Sequence, residues 1–80
     1  MLTLEVDRPG ALEVHFDAAG RDQLLMLLQR LDIGDHEHLF TPSWGGDQVP
    51  EHLSLSEAFA NPESDPIHLV SLRFVDGPNA

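Results

Sequence analysis

The chain has 80 residues, a formal net charge of −10 and no cysteine. This length supports one small domain with one modest core, because such a chain buries only about 60% of the surface it exposes when unfolded. The absence of cysteine excludes a disulfide scaffold, a thiolate zinc site and a cysteine nucleophile. Because 14 acids face four basic residues, nucleic acid and anionic membranes are poor partners and a basic protein is a good one. Solubility alone would also explain the charge.

No membrane segment or secretion signal is predicted. The sequence contains no apolar run near the roughly 20 residues that a membrane span needs. The opening Met1–Asp7 alternates and carries acids, whereas a signal peptide begins with basic residues and an apolar block. We therefore expect a cytoplasmic protein.

Two alternating stretches at residues 2–6 and 12–16 predict an antiparallel hairpin. The residues between them include Pro9, which fixes φ, and Gly10, which supplies a positive φ for the turn. Glu5, Glu13 and His15 belong to the face expected to stay in water. The apolar face comprises Leu2, Leu4, Val6, Leu12, Val14 and Phe16.

A helix is predicted from about Ala18 to Asp32, with Asp17 as its N-cap and Gly34 at its C-terminal end. We expect its leucine stripe to cover the hairpin, with Leu28 in the core. The stripe comprises Leu24, Leu27, Leu28 and Leu31, at helical spacing.

The segment His36–Thr41 is a candidate third strand, and 42–50 is expected to be a loop because it contains two prolines and two glycines. The register of this strand is open. If Phe40 is in the core, His38 shares its face; if Leu39 is in the core, both histidines face outward.

The remainder predicts a short pairing segment at 52–56, a helical turn at 57–60 and a polar break at 61–66. Ile67–Val75 is the most strand-like run, being rich in β-branched and aromatic residues. Residues 76–80 are expected to form a frayed tail. The core face of the last strand should carry His68, Val70, Leu72 and Phe74, against Ile67, Leu69, Ser71, Arg73 and Val75 on the other.

These elements predict a single α+β domain over residues 1–80. Its chain order is β-β-α-β-β, with one antiparallel sheet of four to five strands and one helix packed on one face. Ile67 and Leu69 would leave an apolar spot on the opposite face, which suits a partner or a second copy. We expect a monomer or a weak homodimer.

His36 and His38 project to the same side of an extended segment. Two imidazoles are weak candidates for a metal site, because a structural zinc site needs four ligands and a catalytic one needs three. His15, His52 or His68 would have to complete the set. We prefer the interpretation that the histidines are half-buried and form hydrogen bonds with backbone groups of the loop. No cofactor is predicted.

No catalytic motif is recognisable. The serines lack a nucleophile-elbow context, and Gly45-Gly46 lacks the lysine and glycine pattern of a phosphate loop. Trp44 is the sole tryptophan, and such a residue usually belongs to the core. We expect it to be mainly structural, with blue-shifted fluorescence and one ring edge free near the working surface.

The run Asp35–Gly46 resembles the central motif of bacterial immunity protein 32, a family in polymorphic toxin systems. The family pattern is His-x-His-Leu-x-Thr-Pro-x-Trp-Gly-Gly, and this chain reads His-Glu-His-Leu-Phe-Thr-Pro-Ser-Trp-Gly-Gly. The resemblance implies an α+β protein that neutralises a cognate toxin by direct contact and has no catalytic activity. The alternative from a different class is a small histidine-based metal-binding protein.

The predicted partner is therefore a basic protein, with a cognate toxin as the implied candidate. The candidate partner-binding residues are His36, His38, Trp44, Asp47 and Glu51. Pro42, Gly45 and Gly46 are expected to shape the loop that presents them.

Overall fold

The computed structural model describes residues 1–77 and shows an α+β fold, which confirms the predicted class. Two short 3-10 turns lie at Gly46–Gln48 and Glu51–Leu53. The strands and helices, in chain order, are β1 (Leu2–Arg8), β2 (Ala11–Phe16), α1 (Ala18–Arg30), β3 (His36–Phe40), α2 (Pro42–Gly45), β4 (Asp65–Pro66) and β5 (Leu69–Arg73).

The strands form two antiparallel sheets, whereas the sequence predicted one. The first sheet has the order β2-β1-β4 and the second pairs β3 with β5. The segment 54–56 links the two sheets, because Leu55 N–H donates to the Phe40 carbonyl at 2.7 Å and Ser56 N–H donates to the Leu2 carbonyl at 2.8 Å. The short pairing predicted at 52–56 is found at residues 54–56 and includes a parallel bridge between Phe40 and Ser54, whereas His52 and Leu53 lie in a 3-10 turn.

The helix α1 begins where the sequence predicted and ends two residues earlier. The Asp17 carboxylate accepts from Gly20 N–H at 2.9 Å and also pairs with the N-terminal ammonium of Met1. Gly20 must lack a side chain, because a Cβ there would lie 1.9 Å from the Met1 carbonyl oxygen. The helix is capped by Leu31 in an extended conformation. Gly34, the predicted C-cap, instead takes a φ of 93° in the following turn.

The core lies between the two sheets and α1 and consists mainly of leucine. Leu28 was predicted to be in the core, but this was wrong: its side chain is 51% exposed, whereas Leu27 is 4% exposed. Gly20 and Leu27, seven residues apart, define the buried line of the helix and turn Leu28 toward its flank. The buried cluster comprises Leu2, Leu4, Leu27, Leu39 and Leu55, with Leu53, Ile67, Val70 and Leu72 packed against it.

The last strand is shorter than predicted. Val70 and Leu72 face the core as expected, but Phe74 is 43% exposed and Ile67 packs on the core. Ile67 N–H donates to the Leu4 carbonyl at 2.9 Å, so this residue, which directly follows β4, is hydrogen-bonded to β1 of the first sheet. The chain turns between Ile67 and Leu69, which breaks the single alternation that the sequence suggested.

Three loop predictions differ from the structure or fall outside it. Residues 42–50, expected to be an open loop, contain α2 and a 3-10 turn, and residues 57–60 form no helical turn. Asp76 and Gly77 lie in a bend, and the rest of the predicted tail, 78–80, lies outside the described residues. Within residues 1–77, no helix is long and apolar enough to cross a membrane.

Glu5 is buried, although the sequence placed it on the wet face. Its side chain is 1% exposed, because the loop 60–64 folds over it. The carboxylate accepts from Ala60 N–H at 2.9 Å, Asn61 N–H at 3.0 Å and the Ser64 hydroxyl at 2.7 Å. These hydrogen bonds, that of Ser64 first, lower the pKa of Glu5 to about 2. The charged form of Glu5 therefore anchors a loop that has no regular helix or strand of its own.

Candidate functional site

The register of β3 decides what this strand presents. Leu39 is 1% exposed and pairs with Val70, whereas Phe40 pairs with Leu69. Because alternate side chains leave a strand on opposite faces, His36, His38 and Phe40 share the outer face. The second of the two predicted registers is therefore the one that the chain adopts.

The outer face of β3 carries a row of rings. The centroids of His36 and His38 are 5.2 Å apart in an edge-on arrangement, and those of His38 and Phe40 are 6.3 Å apart. His38 Nδ1 lies 2.8 Å from the hydroxyl oxygen of Ser71 on the neighbouring strand. This hydrogen bond fixes the orientation of the His38 ring, which is the middle ring of the row.

Trp44 is held at the surface and does not belong to the core, so the structural half of its predicted role is wrong. Its side chain is 63% exposed. Trp44 lies on the single turn of α2, outside the buried cluster that contains Leu39. One face of the indole stacks on the ring of His68, with centroids 5.7 Å apart and planes 10° apart. A ring fixed on one face and open on the other is suited to contact a partner.

The stack under Trp44 is itself supported by a small network. His68 Nδ1 lies 2.6 Å from the buried Thr41 hydroxyl oxygen, and the Phe59 ring meets His68 edge-on at 6.0 Å. The Glu57 carboxylate accepts from Ser43 N–H at 2.7 Å. Hydrogen bonds from Ser43, aided by Thr41 and by the charge of His68, lower the pKa of Glu57.

No sequence motif indicated this network. His68, Phe59 and Glu57 are separated from Trp44 by at least a dozen residues and form no motif with it. Only the pairing of β3 with β5 brings His68 beside Thr41, whose N–H donates to the His68 carbonyl at 3.0 Å.

Pro42 and the two glycines shape the support of Trp44. Pro42 occupies the start of α2, where its missing N–H has no consequence. A Cβ on Gly45 would lie 2.0 Å from Val49 Cγ2 and 2.9 Å from Phe40 Cβ. Gly46 takes a φ of 70°, a conformation that favours glycine. Gly45 thus lets Val49 close against Phe40.

We call the resulting surface the aromatic strip. It continues from the β3 row to Trp44 across a shallow groove of about 370 Å³ that Phe40, Trp44, Val49 and Leu53 line. The strip consists of His36, His38, Phe40, Trp44, His68 and Phe59.

The two predicted acids occupy different places beside the strip. Asp47 is exposed in the 3-10 turn directly after α2 and precedes Gln48, a residue of the groove. Glu51 follows the groove residue Pro50 but turns toward α1, where it lines a separate depression with Met26. Phe40 therefore connects the row of His36 and His38 to Trp44, because it belongs to both the row and the groove. Asp47 lies next to a groove residue, and Glu51 lines the separate depression.

His52 lines one depression together with His36, whereas the remaining histidines have other neighbours. His15 Nε2 lies 3.0 Å from a Glu13 oxygen, and His68 is stacked under Trp44. Among residues 1–77, no group of three or more histidine, aspartate or glutamate side chains is placed to hold a metal ion. His36 and His38 are therefore adjacent imidazoles without a third ligand in this part of the chain.

Comparison with protein-family models gave no match, and comparisons with curated proteins and with solved structures gave none that is significant. These comparisons assign the chain to no family.

The environment of Trp44 predicts its fluorescence. Because the indole is 63% exposed, we expect emission close to that of free tryptophan and strong quenching by neutral acrylamide. Iodide should quench less, since a protein with a charge of −10 repels anions. His68→Ala should raise acrylamide quenching further by freeing the second face of the ring. A blue-shifted emission, indifferent to acrylamide, would show that Trp44 is buried.

Proposed function

We propose that this protein is a non-catalytic binding domain that docks a basic protein partner on the aromatic strip. The motif in residues 35–46 makes a bacterial toxin the candidate partner and neutralisation by direct contact the candidate role. The observation that carries the proposal is the exposed Trp44, fixed by its stack on His68.

An immobilised exposed tryptophan favours binding for an energetic reason. Tryptophan is among the residues on which interface energy concentrates. Ordering a free side chain on association costs about 0.5–1.5 kcal/mol, and the stack on His68 means that much of this ordering precedes binding. The adjoining groove offers a partner side chain an apolar place beside the ring.

The charge distribution supports a basic partner. Only four arginines oppose 14 acids, and Asp47 lies exposed beside the groove. Complementary charge mainly raises the rate of encounter, while apolar contacts at the centre of an interface mainly slow dissociation. The acids beside the strip would thus raise the association rate, and the aromatic strip would slow dissociation.

Trp44→Ala should weaken binding to a cognate toxin domain by about 30-fold or more, as loss of an interface hot spot does. The change should appear mainly in the dissociation rate. Ile33→Ala is the matched control, because Ile33 is 58% exposed but lies in the turn after α1. Surface plasmon resonance measures both variants.

Equal affinity of Trp44→Ala and wild type for a toxin that binds would place the interface elsewhere. No binding to any neighbouring toxin, together with stoichiometric zinc in protein purified without a His-tag and loss of that zinc in His36→Ala, would instead support the metal-binding alternative.

Salt should slow association with a basic partner. The Debye length falls from about 10 Å at 0.1 M to about 3 Å at 1 M salt, so the long-range attraction is screened. Asp47→Asn with Glu51→Gln should slow association several-fold at low salt and change dissociation less. Glu63→Gln with Asp65→Asn removes the same charge from two exposed positions at and just before β4, and serves as the control. Stopped-flow rates that are flat with salt would show that the acidity serves solubility.

A further inference from the structure

The strand β2 is an unprotected edge with an apolar face. Within residues 1–77 it pairs only with β1 and ends the order β2-β1-β4. Leu12, Val14 and Phe16 are 56%, 42% and 54% exposed. Leu12, Val14 and Phe16 lie opposite Val6, Leu4 and Leu2 of β1 and share their face. Leu2 and Leu4 are buried, so the cover of this face ends at β1.

The free hydrogen-bonding groups of β2 belong to the same three residues. Asp17 N–H donates to the Met1 carbonyl at 3.1 Å. Since bonded and non-bonded pairs alternate along an antiparallel ladder, His15 and Glu13 also direct their backbone groups to β1. Leu12, Val14 and Phe16 therefore direct their N–H and C=O groups away from β1, to the open edge.

The opposite edge of the same sheet is covered by the chain itself. The carbonyls of Leu2 and Leu4 accept from Ser56 and Ile67, at 2.8 Å and 2.9 Å. Proteins usually protect an exposed edge with a charge, a proline or a bulge. From Leu12 to Phe16 the register with β1 is unbroken and the strand contains no proline; the one irregularity lies beyond this stretch, between Val6 and Arg8 of β1. The edge from Leu12 to Phe16 is therefore available to another strand.

We propose that β2 pairs with β2 of a second copy of this chain, antiparallel, about a twofold axis at Val14. Val14 then lies opposite Val14 of the second copy, and Leu12 lies opposite its Phe16. Each copy donates its three free N–H groups to the other. The two sheets become one continuous sheet, with the apolar side chains of both strands side by side.

Charge selects this register among the possible ones. With the axis at Val14, Glu13 lies opposite His15 of the second copy, a favourable pair. With the axis at Glu13, two glutamates would face each other. With the axis at His15, Glu13 would face Asp17. Like charges directly opposite each other destabilise a strand pair, so of these three registers only the first is complementary to itself. It also centres the pairing on the stretch Leu12–Phe16, whose three free N–H groups it uses in full.

The dimer should strengthen as salt is added. Each copy carries a formal charge of −10, so the two copies repel at long range, and salt screens that repulsion. This dependence is opposite in sign to that expected for docking on a basic partner. The two proposals use different surfaces, and either can fail without the other.

Sedimentation velocity in low and high salt, from roughly 10 µM to roughly 1 mM protein, tests the dimer over the affinity range of a small interface. The mass should rise from the 8.9 kDa of one chain toward twice that value, 17.8 kDa, and do so at lower concentration in high salt. Val14→Lys should stay monomeric throughout. Val75→Lys, at a valine that is 49% exposed and outside β2, should dimerise like wild type.

Amide hydrogen exchange tests the register in the same samples. The amides of Leu12, Val14 and Phe16 should become protected as concentration rises, whereas those of Glu13 and His15 should be protected at every concentration. A monomer at the highest concentration in high salt would overturn the proposal. So would a dimer that survives Val14→Lys or leaves the Val14 amide unprotected.

Discussion

Leu39→Ala should lower the free energy of unfolding by about 2–5 kcal/mol, the usual loss for a buried leucine. Leu39 is 1% exposed and lies on the back of β3, in the cluster that joins both sheets to α1. For a domain of this size the loss is a large part of the total stability. Urea unfolding monitored by circular dichroism measures it.

Leu28→Ala is the matched control for Leu39→Ala, because it makes the same chemical change where the side chain is 51% exposed. We expect a loss of about 1 kcal/mol or less, since half of the side chain already lies in water. If Leu28→Ala were as destabilising as Leu39→Ala, α1 would have to be rotated about its axis from the phase described above.

Glu5→Gln should lower the melting temperature more than any exchange of an exposed acid, although it preserves size and shape. Both carboxylate oxygens accept from a backbone N–H, one from Ala60 and one from Asn61. An amide nitrogen placed at either oxygen would face a donor, so one N–H must lose its partner. Faster amide exchange at Ala60 and Asn61 should accompany the loss. Glu63→Gln, at an exposed residue of the same loop, is the control.

The same substitution should remove part of the acid sensitivity of the fold. The pKa of Glu5 falls from 4.5 to about 2 on folding. A lowered pKa stabilises the folded state above pH 4.5, and this stabilisation is lost as pH falls from about 4.5 to about 2. Asp17 and Glu57 also have lowered pKa values. They contribute equally to the acid sensitivity of the wild type and of Glu5→Gln. Thermal melts between pH 2 and pH 6 should thus show a smaller decline in Glu5→Gln; an unchanged slope would show that Glu5 is not charged and buried.

Local patterns in the sequence determined the first three elements of this fold. The alternation at residues 2–6 and 12–16 and the leucine spacing after Asp17 report on neighbours one to four positions away, and β1, β2 and α1 formed there. The capping role of Asp17 also depends on a local contact, with Gly20. For the same reason the candidate site was found in part: His36, His38 and Trp44 lie in one short run.

Tertiary structure alone decided the phase, the register and the support of that site. Whether Leu27 or Leu28 enters the core depends on where Gly20 meets Met1, a contact that no helical periodicity encodes. Whether Leu39 or Phe40 is buried depends on the pairing of β3 with β5. The burial of Glu5 depends on a loop more than 50 residues away. Trp44 is exposed because His68, brought in by β5, supplies a stacking surface outside the core. Each of these features depends on a long-range contact. A local sequence pattern does not specify which distant segment makes that contact.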